Sequence, residues 1–192
     1  IVQKTLDISR CFRDNVCIMK KDSVIFTRRS IRAYDSSKKV SRELLEDIVD
    51  AAMHAPTAMN TQPWEFLVAD DAESVAKILK AHPYCESLKD AGSAVIVCAN
   101  LDREFKTPCG GYAHFDCSAA TENLLLRAAE LGLGTCWCGI APEKERMDAM
   151  RKAFGIPSNV EPMALVIVGY PAESPKLDSP RYDVDKLHFN HW

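Results

Sequence analysis

Asp116-Cys-Ser-Ala-Ala-Thr-Glu-Asn-Leu-Leu-Leu-Arg-Ala-Ala-Glu-Leu131, followed by Gly132, is the stretch on which the fold of this chain turns. Wound at 3.6 residues per turn, Ala119, Ala120, Leu124, Leu125, Leu126, Ala128, Ala129 and Leu131 cover nearly every side. A helix that is apolar all round must be buried, either in a large core or between subunits. A chain of 192 residues has little room for it in its own core, so the segment points to a dimer. Gly132 ends the helix as the glycine after its C-cap.

Working outward, Ala94–Ala99 reads as a buried strand and Trp64–Ala69 as another, with a helix over Ala72–Ala81 turning Val75, Ile78 and Leu79 inward. Ser41 reads as an N-cap, with Glu43 and Glu46 in the first turns, where the helix dipole favours acids. Leu44, Leu45, Ile48, Val49 and Ala52 follow at helical spacing, and Pro56 stops that helix near His54. Downstream, Gly134-Thr-Cys-Trp-Cys-Gly139 reads as a strand, and a helix follows with Pro142 at its first position. That helix carries Met147, Met150 and Phe154 on one face and ends at Gly155. A last strand is expected over Met163–Tyr170, and the Pro-, Asp- and Lys-containing tail from Pro171 should run over the surface. Residues 1–22 offer only a weak helical face in Cys11, Phe12, Val16, Ile18 and Met19, and stay unassigned. Residues 23–192 read as a single α+β domain, with helices packed on a mixed sheet.

Composition narrows the function classes. The hydrophobic fraction of 47% and charged fraction of 27% are those of an ordinary globular chain. A net charge of −3 disfavours nucleic-acid binding, which needs a basic surplus. No apolar run approaches the roughly 20 residues of a membrane helix, so no membrane partner is expected. The sequence starts without the basic and apolar regions of a signal peptide. Its eight cysteines are scattered, several inside apolar segments. They read as reduced thiols, and the chain as cytoplasmic.

Three stretches can carry chemistry. Arg28-Arg29-Ser30-Ile31-Arg32 gathers three guanidinium groups and a hydroxyl. Alone it reads as a solvated basic turn; arginine forks also match phosphate oxygens. Ala55-Pro-Thr-Ala-Met-Asn-Thr-Gln-Pro-Trp64 sets amides and small residues between two prolines. It is either a rigid connector or a loop offering donors to a planar polar ring. Gly132-Leu-Gly-Thr-Cys-Trp-Cys-Gly-Ile140 is either a core strand with two buried thiols or a backbone that glycines let approach a flat ligand.

Taken together and in this order, those stretches closely resemble the FMN-dependent nitroreductase family. Asp116–Leu126, Gly169-Tyr-Pro-Ala and Pro180-Arg-Tyr-Asp-Val-Asp-Lys-Leu-His188 with Trp192 fit as well, so the resemblance covers about residues 23 to 192. It implies a three-layer sandwich, a central mixed or antiparallel sheet flanked by helices, in an intertwined homodimer with FMN at the subunit interface. By the resemblance, Arg28 and Ser30 hold the phosphate and ribityl end, Arg29 lines the same turn, and Arg32 points at the pyrimidine edge. Pro56, Thr57, Ala58 and Asn60 approach from the partner subunit, with Gln62 close by. Cys136, Trp137, Cys138 and Gly139 lie along the ring, with the Cys138 amide facing N5, and Arg181 closes on the phosphate. No protein nucleophile or acid–base pair is implied, because the flavin carries the chemistry. NADH or NADPH delivers a hydride to N5, and an acceptor such as a nitroaromatic or quinone then takes its place, a ping-pong order. Thr57 stands where serine is usual and keeps the hydroxyl.

Two other classes compete. One is a flavin-binding module without turnover. The other is a metal or thiol-redox protein built on Cys109, His114, Cys117, Cys136 and Cys138, although Cys109-x4-His114-x2-Cys117 is loose for a structural zinc site. No metal is expected.

Overall fold

The computed structural model describes residues 23–174 and 181–192. The weak helical face in residues 1–22, and Pro180, lie outside the described residues. The elements are α1 (Val24–Thr27), α2 (Arg42–Met53), β1 (Trp64–Ala69), α3 (Ala72–Ala81), α4 (Leu88–Ala91), β2 (Ser93–Asn100), β3 (Lys106–Thr107), β4 (Gly110–Gly111), α5 (Ala113–Glu130), β5 (Gly134–Gly139), α6 (Lys144–Phe154) and β6 (Val160–Gly169). Short 3-10 turns occupy Ala58–Asn60 and Val184–Lys186.

Four strands form one sheet in the order β1-β2-β6-β5, and every pair is antiparallel. A parallel bridge from Ser30 to Thr135 adds a short mixed margin beyond β5. Side chains alternate across a strand, so the apolar runs of β2 and β6 feed two cores. Val95, Val97, Val166 and Val168 face Ile48 of α2 and Leu124 and Leu125 of α5. Ala94, Ile96, Leu165 and Ile167 face Ile78 of α3, Leu88 of α4 and Met150 of α6. The result is the expected three-layer α+β sandwich. Among the described residues no helix is long and apolar enough to cross a membrane.

Local chemistry explains most boundaries. Ser41 Oγ accepts from Leu44 N–H at 3.4 Å and starts α2. Asp71 Oδ1 does the same for Ser74 N–H at 2.8 Å and starts α3. At the end of α5, Gly132 has φ +74°, and its N–H and that of Leu133 return to Ala129 O and Ala128 O at 3.1 and 2.8 Å. This is the paired closure expected of a glycine there.

Three boundaries differ from expectation. α5 begins at Ala113, three residues before Asp116, because its first turn has no side-chain cap at Tyr112 for the sequence to advertise. Pro142 is not the first residue of α6: it lies inside a turn closed by Glu143 N–H to Ile140 O at 3.1 Å, and Glu143 is the N-cap. β6 begins at Val160, not Met163, because Pro162 sits opposite Cys98 where the β2–β6 register slips, a place where a missing N–H is tolerated.

Candidate functional site

The Arg28–Arg32 segment leaves α1 and runs beside the open edge of β5. Ile31 N–H donates to Thr135 O at 2.8 Å. Gly134 eases the approach, since a Cβ there would lie 3.0 Å from Ile31 Cβ and Ile31 would have to shift by a few tenths of an ångström. Arg28 is 17% exposed, and its Nε lies 3.5 Å from Glu122 Oε1 of α5 without a hydrogen bond, leaving that nitrogen buried and unsatisfied. Arg29 folds back, its Nη1 donating to Phe26 O and Arg28 O at 3.0 and 2.8 Å. Ser30 and Arg32 are exposed. A cleft of about 390 Å³ opens between Thr27, Arg28, Arg29, Gly134, Thr135 and Pro171.

The backbone of β5 alternates in direction. Thr135 O points away from β6, toward Ile31, whereas Ile140 N–H returns to Met163 O in the direction of β6 at 3.1 Å. Gly139 O points outward again and accepts from His82 Nε2 and Arg146 Nη1, both at 3.0 Å. The edge is therefore covered at Thr135 and at Gly139, with Trp137 between them on the open side. By the same parity the Cys138 N–H turns toward β6, opposite Leu165. The expectation that Cys138 offers its amide to a ring is revised: the strand's pairing directs that N–H into the sheet.

Cys136 and Cys138 put their thiols on the α3 side of the sheet, near the Arg32 charge. A hydrogen bond from Cys138, helped by Arg32, lowers the Cys136 thiol against the cost of burial. The Cys138 thiol is raised, because it is the donor of that bond and is partly buried.

The loop from Pro56 to Gln62 is strained. Met59, Asn60 and Gln62 have φ of +52°, +55° and +48°, a left-handed region that non-glycine residues seldom enter and that concentrates at functional sites. It is held by Thr57 Oγ1 accepting Gln62 N–H at 3.2 Å and Gln62 Nε2 donating to Asn60 Oδ1 at 3.0 Å. Buried Asp116 accepts Ala58 N–H at 3.0 Å on Oδ1, while its Oδ2 is buried without a partner. Asp116 is at the first end of α5 and Ala129, beside the arginine cleft, near the other, about 20 Å apart along the axis. Within one chain Arg28 and Arg29 line the cleft, Ser30 bridges to Thr135 at the start of β5, and the Arg32 charge lies near Cys136 and Cys138. It leaves Pro56, Thr57, Ala58, Asn60 and Gln62 at the far end of the helix. Arg181 is exposed, in a C-terminal segment whose described residues are all exposed.

His82, Arg146 and Asp116 were not legible as site residues. His82 reads as a loop residue in sequence, and only the register of the connector against β5 gives it Gly139 as a partner. The metal alternative finds no support in position. Cys109 is exposed on the β3–β4 hairpin, His114 pairs with Glu161 at 2.9 Å, and Cys117 is buried with Sγ 3.5 Å from Cys98 O. Among the described residues no three His, Cys, Asp or Glu converge on a metal position.

Comparison with known proteins agrees with this fold. The family model described as "Nitroreductase family" matches residues 25–83 and 83–170. A Methanothermobacter thermautotrophicus protein whose name pairs NADH dehydrogenase with NAD(P)H nitroreductase is 42% identical over 168 residues, 88% of this chain and 85% of its own. A Clostridium acetobutylicum crystal structure named as an NADH oxidase superimposes with a TM-score of 0.80 at 37% identity, covering 88% of this chain and all of the other. A Desulfovibrio desulfuricans structure named as a nitroreductase in complex with FMN does so with a TM-score of 0.72 at 27% identity, covering 88% of this chain and 95% of the other. With the family model matching residues 25–83 and 83–170 and a relative 42% identical over 88% of its length, the chain belongs to the nitroreductase family.

Proposed function

We propose that this chain is an FMN-dependent oxidoreductase that takes hydride from NADH or NADPH and passes the reducing equivalents to an acceptor such as a nitroaromatic or a quinone. The two substrates use one site in turn. The observation that carries this is the uncovered edge of β5 at Trp137, flanked by the arginine segment on one side and the Gly139 contacts on the other.

The residues present fit FMN. Arg28 Nε is a buried donor without a hydrogen-bond partner, Arg29 and Arg32 add charge, and Ser30 adds an exposed hydroxyl. That is the donor set a phosphate dianion needs. FMN supplies the two-electron chemistry when bound. Arg28, Arg29 and Ser30 hold its phosphate end, and Arg181 joins them from the C-terminal segment. Arg32 offers a positive charge that favours the more negative, reduced ring. The Trp137 and Gly139 amides are the ones on the open side and replace Cys138 as the donors available to the ring. Trp137, 38% exposed, and Cys136 line the same strand.

The functional unit is a homodimer in this reading. Pro56, Thr57, Ala58, Asn60 and Gln62 lie too far along α5 to serve their own chain's cleft, and a two-fold partner brings them to it. Phe115 on α5 is 72% exposed, and Tyr182, Leu187, Phe189 and Trp192 are exposed in the C-terminal segment. Large apolar side chains exposed in this number suit an interface. The free thiols of the described cysteines suit a reducing cytoplasm.

Purified protein should be yellow, and NADH or NADPH should bleach it without oxygen, with a nitroaromatic or quinone restoring the colour. A protein that takes up no FMN overturns the proposal. Bound FMN that neither nicotinamide bleaches makes the chain a flavin-binding module without turnover.

A further inference from the structure

His82 lies in the connector after α3, is 2% exposed, and has both ring nitrogens in use. Nε2 is 3.0 Å from Gly139 O, and Nδ1 accepts Tyr84 N–H at 3.2 Å. A carbonyl only accepts, so the proton sits on Nε2 and the ring is neutral. Burial lowers the His82 pKa further, in keeping with that neutral form. The guanidinium of Arg146, from the first turn of α6, donates to the same carbonyl and lies 5.0 Å from the Tyr84 ring centroid. His82 and Tyr84 meet edge to face at 6.3 Å.

One hydrogen bond satisfies a strand-edge carbonyl. Here there are two, from separate elements, and one is charged and so the stronger kind. Two donors converging on one oxygen fix the direction of the peptide, not merely its solvation. The peptide so fixed ends the open stretch of β5 at which the FMN reading places the ring.

We propose that His82 and Arg146 are positioning residues for the flavin site. By clamping Gly139 O they hold the far side of the Trp137 opening and the direction of the amides beside it. Arg146 adds a positive charge at that end, as Arg32 does at the other. The inference rests on the FMN reading above.

The test measures FMN affinity of the full chain by fluorescence quenching, and the two-electron midpoint potential by anaerobic dye titration, in wild type, Arg146→Met, His82→Leu and His82→Gln. Arg146→Met should bind FMN about tenfold more weakly. It should also favour the oxidised over the reduced form by about tenfold relative to wild type, a potential lower by about 30 mV. His82→Leu should show the same weaker binding, and His82→Gln, which keeps an N–H donor, should restore it. If His82→Leu does not fold, the half-buried Arg146 decides the question. Unchanged affinity and potential in Arg146→Met, with only the melting temperature moved, overturns the proposal and makes the cluster a structural tie. A wild type that binds no FMN instead removes the reading beneath it, and the wild-type titration tells the two failures apart.

Discussion

Cys136 and Cys138 stand two residues apart on one face of β5, and the hydrogen bond between them separates their acidities in opposite directions. Removing the donor should remove the effect. In Cys138→Ala the Cys136 ionisation, followed by thiolate absorbance against pH, should rise from its lowered position toward the ordinary value of about 8.5. Flavin and most activity should survive, because the Cys138 backbone is spent on the sheet. Loss of turnover with FMN still bound would give the thiol a role in the reaction. Arg28 makes a sharper demand. Its buried Nε has no hydrogen-bond partner, so Arg28→Ala should weaken FMN binding by about 1.5–3 kcal/mol, the size of a charged hydrogen bond. Equilibrium dialysis measures this, and unchanged affinity removes Arg28 from the site. His82 adds a pH dependence. Its folded pKa is lowered by burial, while the unfolded chain takes up the proton near pH 6.5 or so. The unfolded state then binds more protons below that pH, so stability falls as pH drops through about 6.5 and is recovered above it. Urea melts from pH 5 to 8 should show this slope, and His82→Gln should flatten it.

At the scale of elements, the arginine segment approaches β5 more easily because Gly134 has no side chain. Gly134→Ala should force Ile31 away and cost about 1–3 kcal/mol of stability, the usual penalty of overpacking. FMN affinity should fall with it, since Arg28 and Ser30 move with the same segment. A melting curve and an FMN titration on the same sample check both, and an unchanged pair of values would contradict the close approach. Elements set by local periodicity were readable without tertiary knowledge. Trp64–Ala69 and Ala72–Ala81 appear with the bounds that alternation and helical spacing predict. The start of α5 and the bulged start of β6 were not readable. An uncapped first turn carries no side-chain signal, and a proline is tolerated only because a neighbouring strand slips beside it.

For the whole molecule, the separation of the Pro56–Gln62 loop from the arginine cleft is the central fact. Two ends of one helix cannot meet, so a site using both needs a second chain. Phe115→Asp changes an exposed residue and should leave each protomer folded. It should convert a particle of twice 21.4 kDa to one of that mass in sedimentation, with FMN retention falling in parallel. A monomer that keeps full FMN affinity would argue that the loop has no part in the site.

From its residues alone the chain determined that it would form a long, leucine- and alanine-rich helix, lay apolar strands in one sheet, and carry a cationic segment with the chemistry to meet a phosphate. These follow from spacing and side-chain chemistry, which are local. Only the tertiary structure decided which amides of β5 stay outside the sheet, that His82 and Arg146 share one carbonyl, and that Asp116 anchors a loop far from the arginines. Strand parity and contacts across the sheet depend on long-range register, and register is settled only when both cores pack at once.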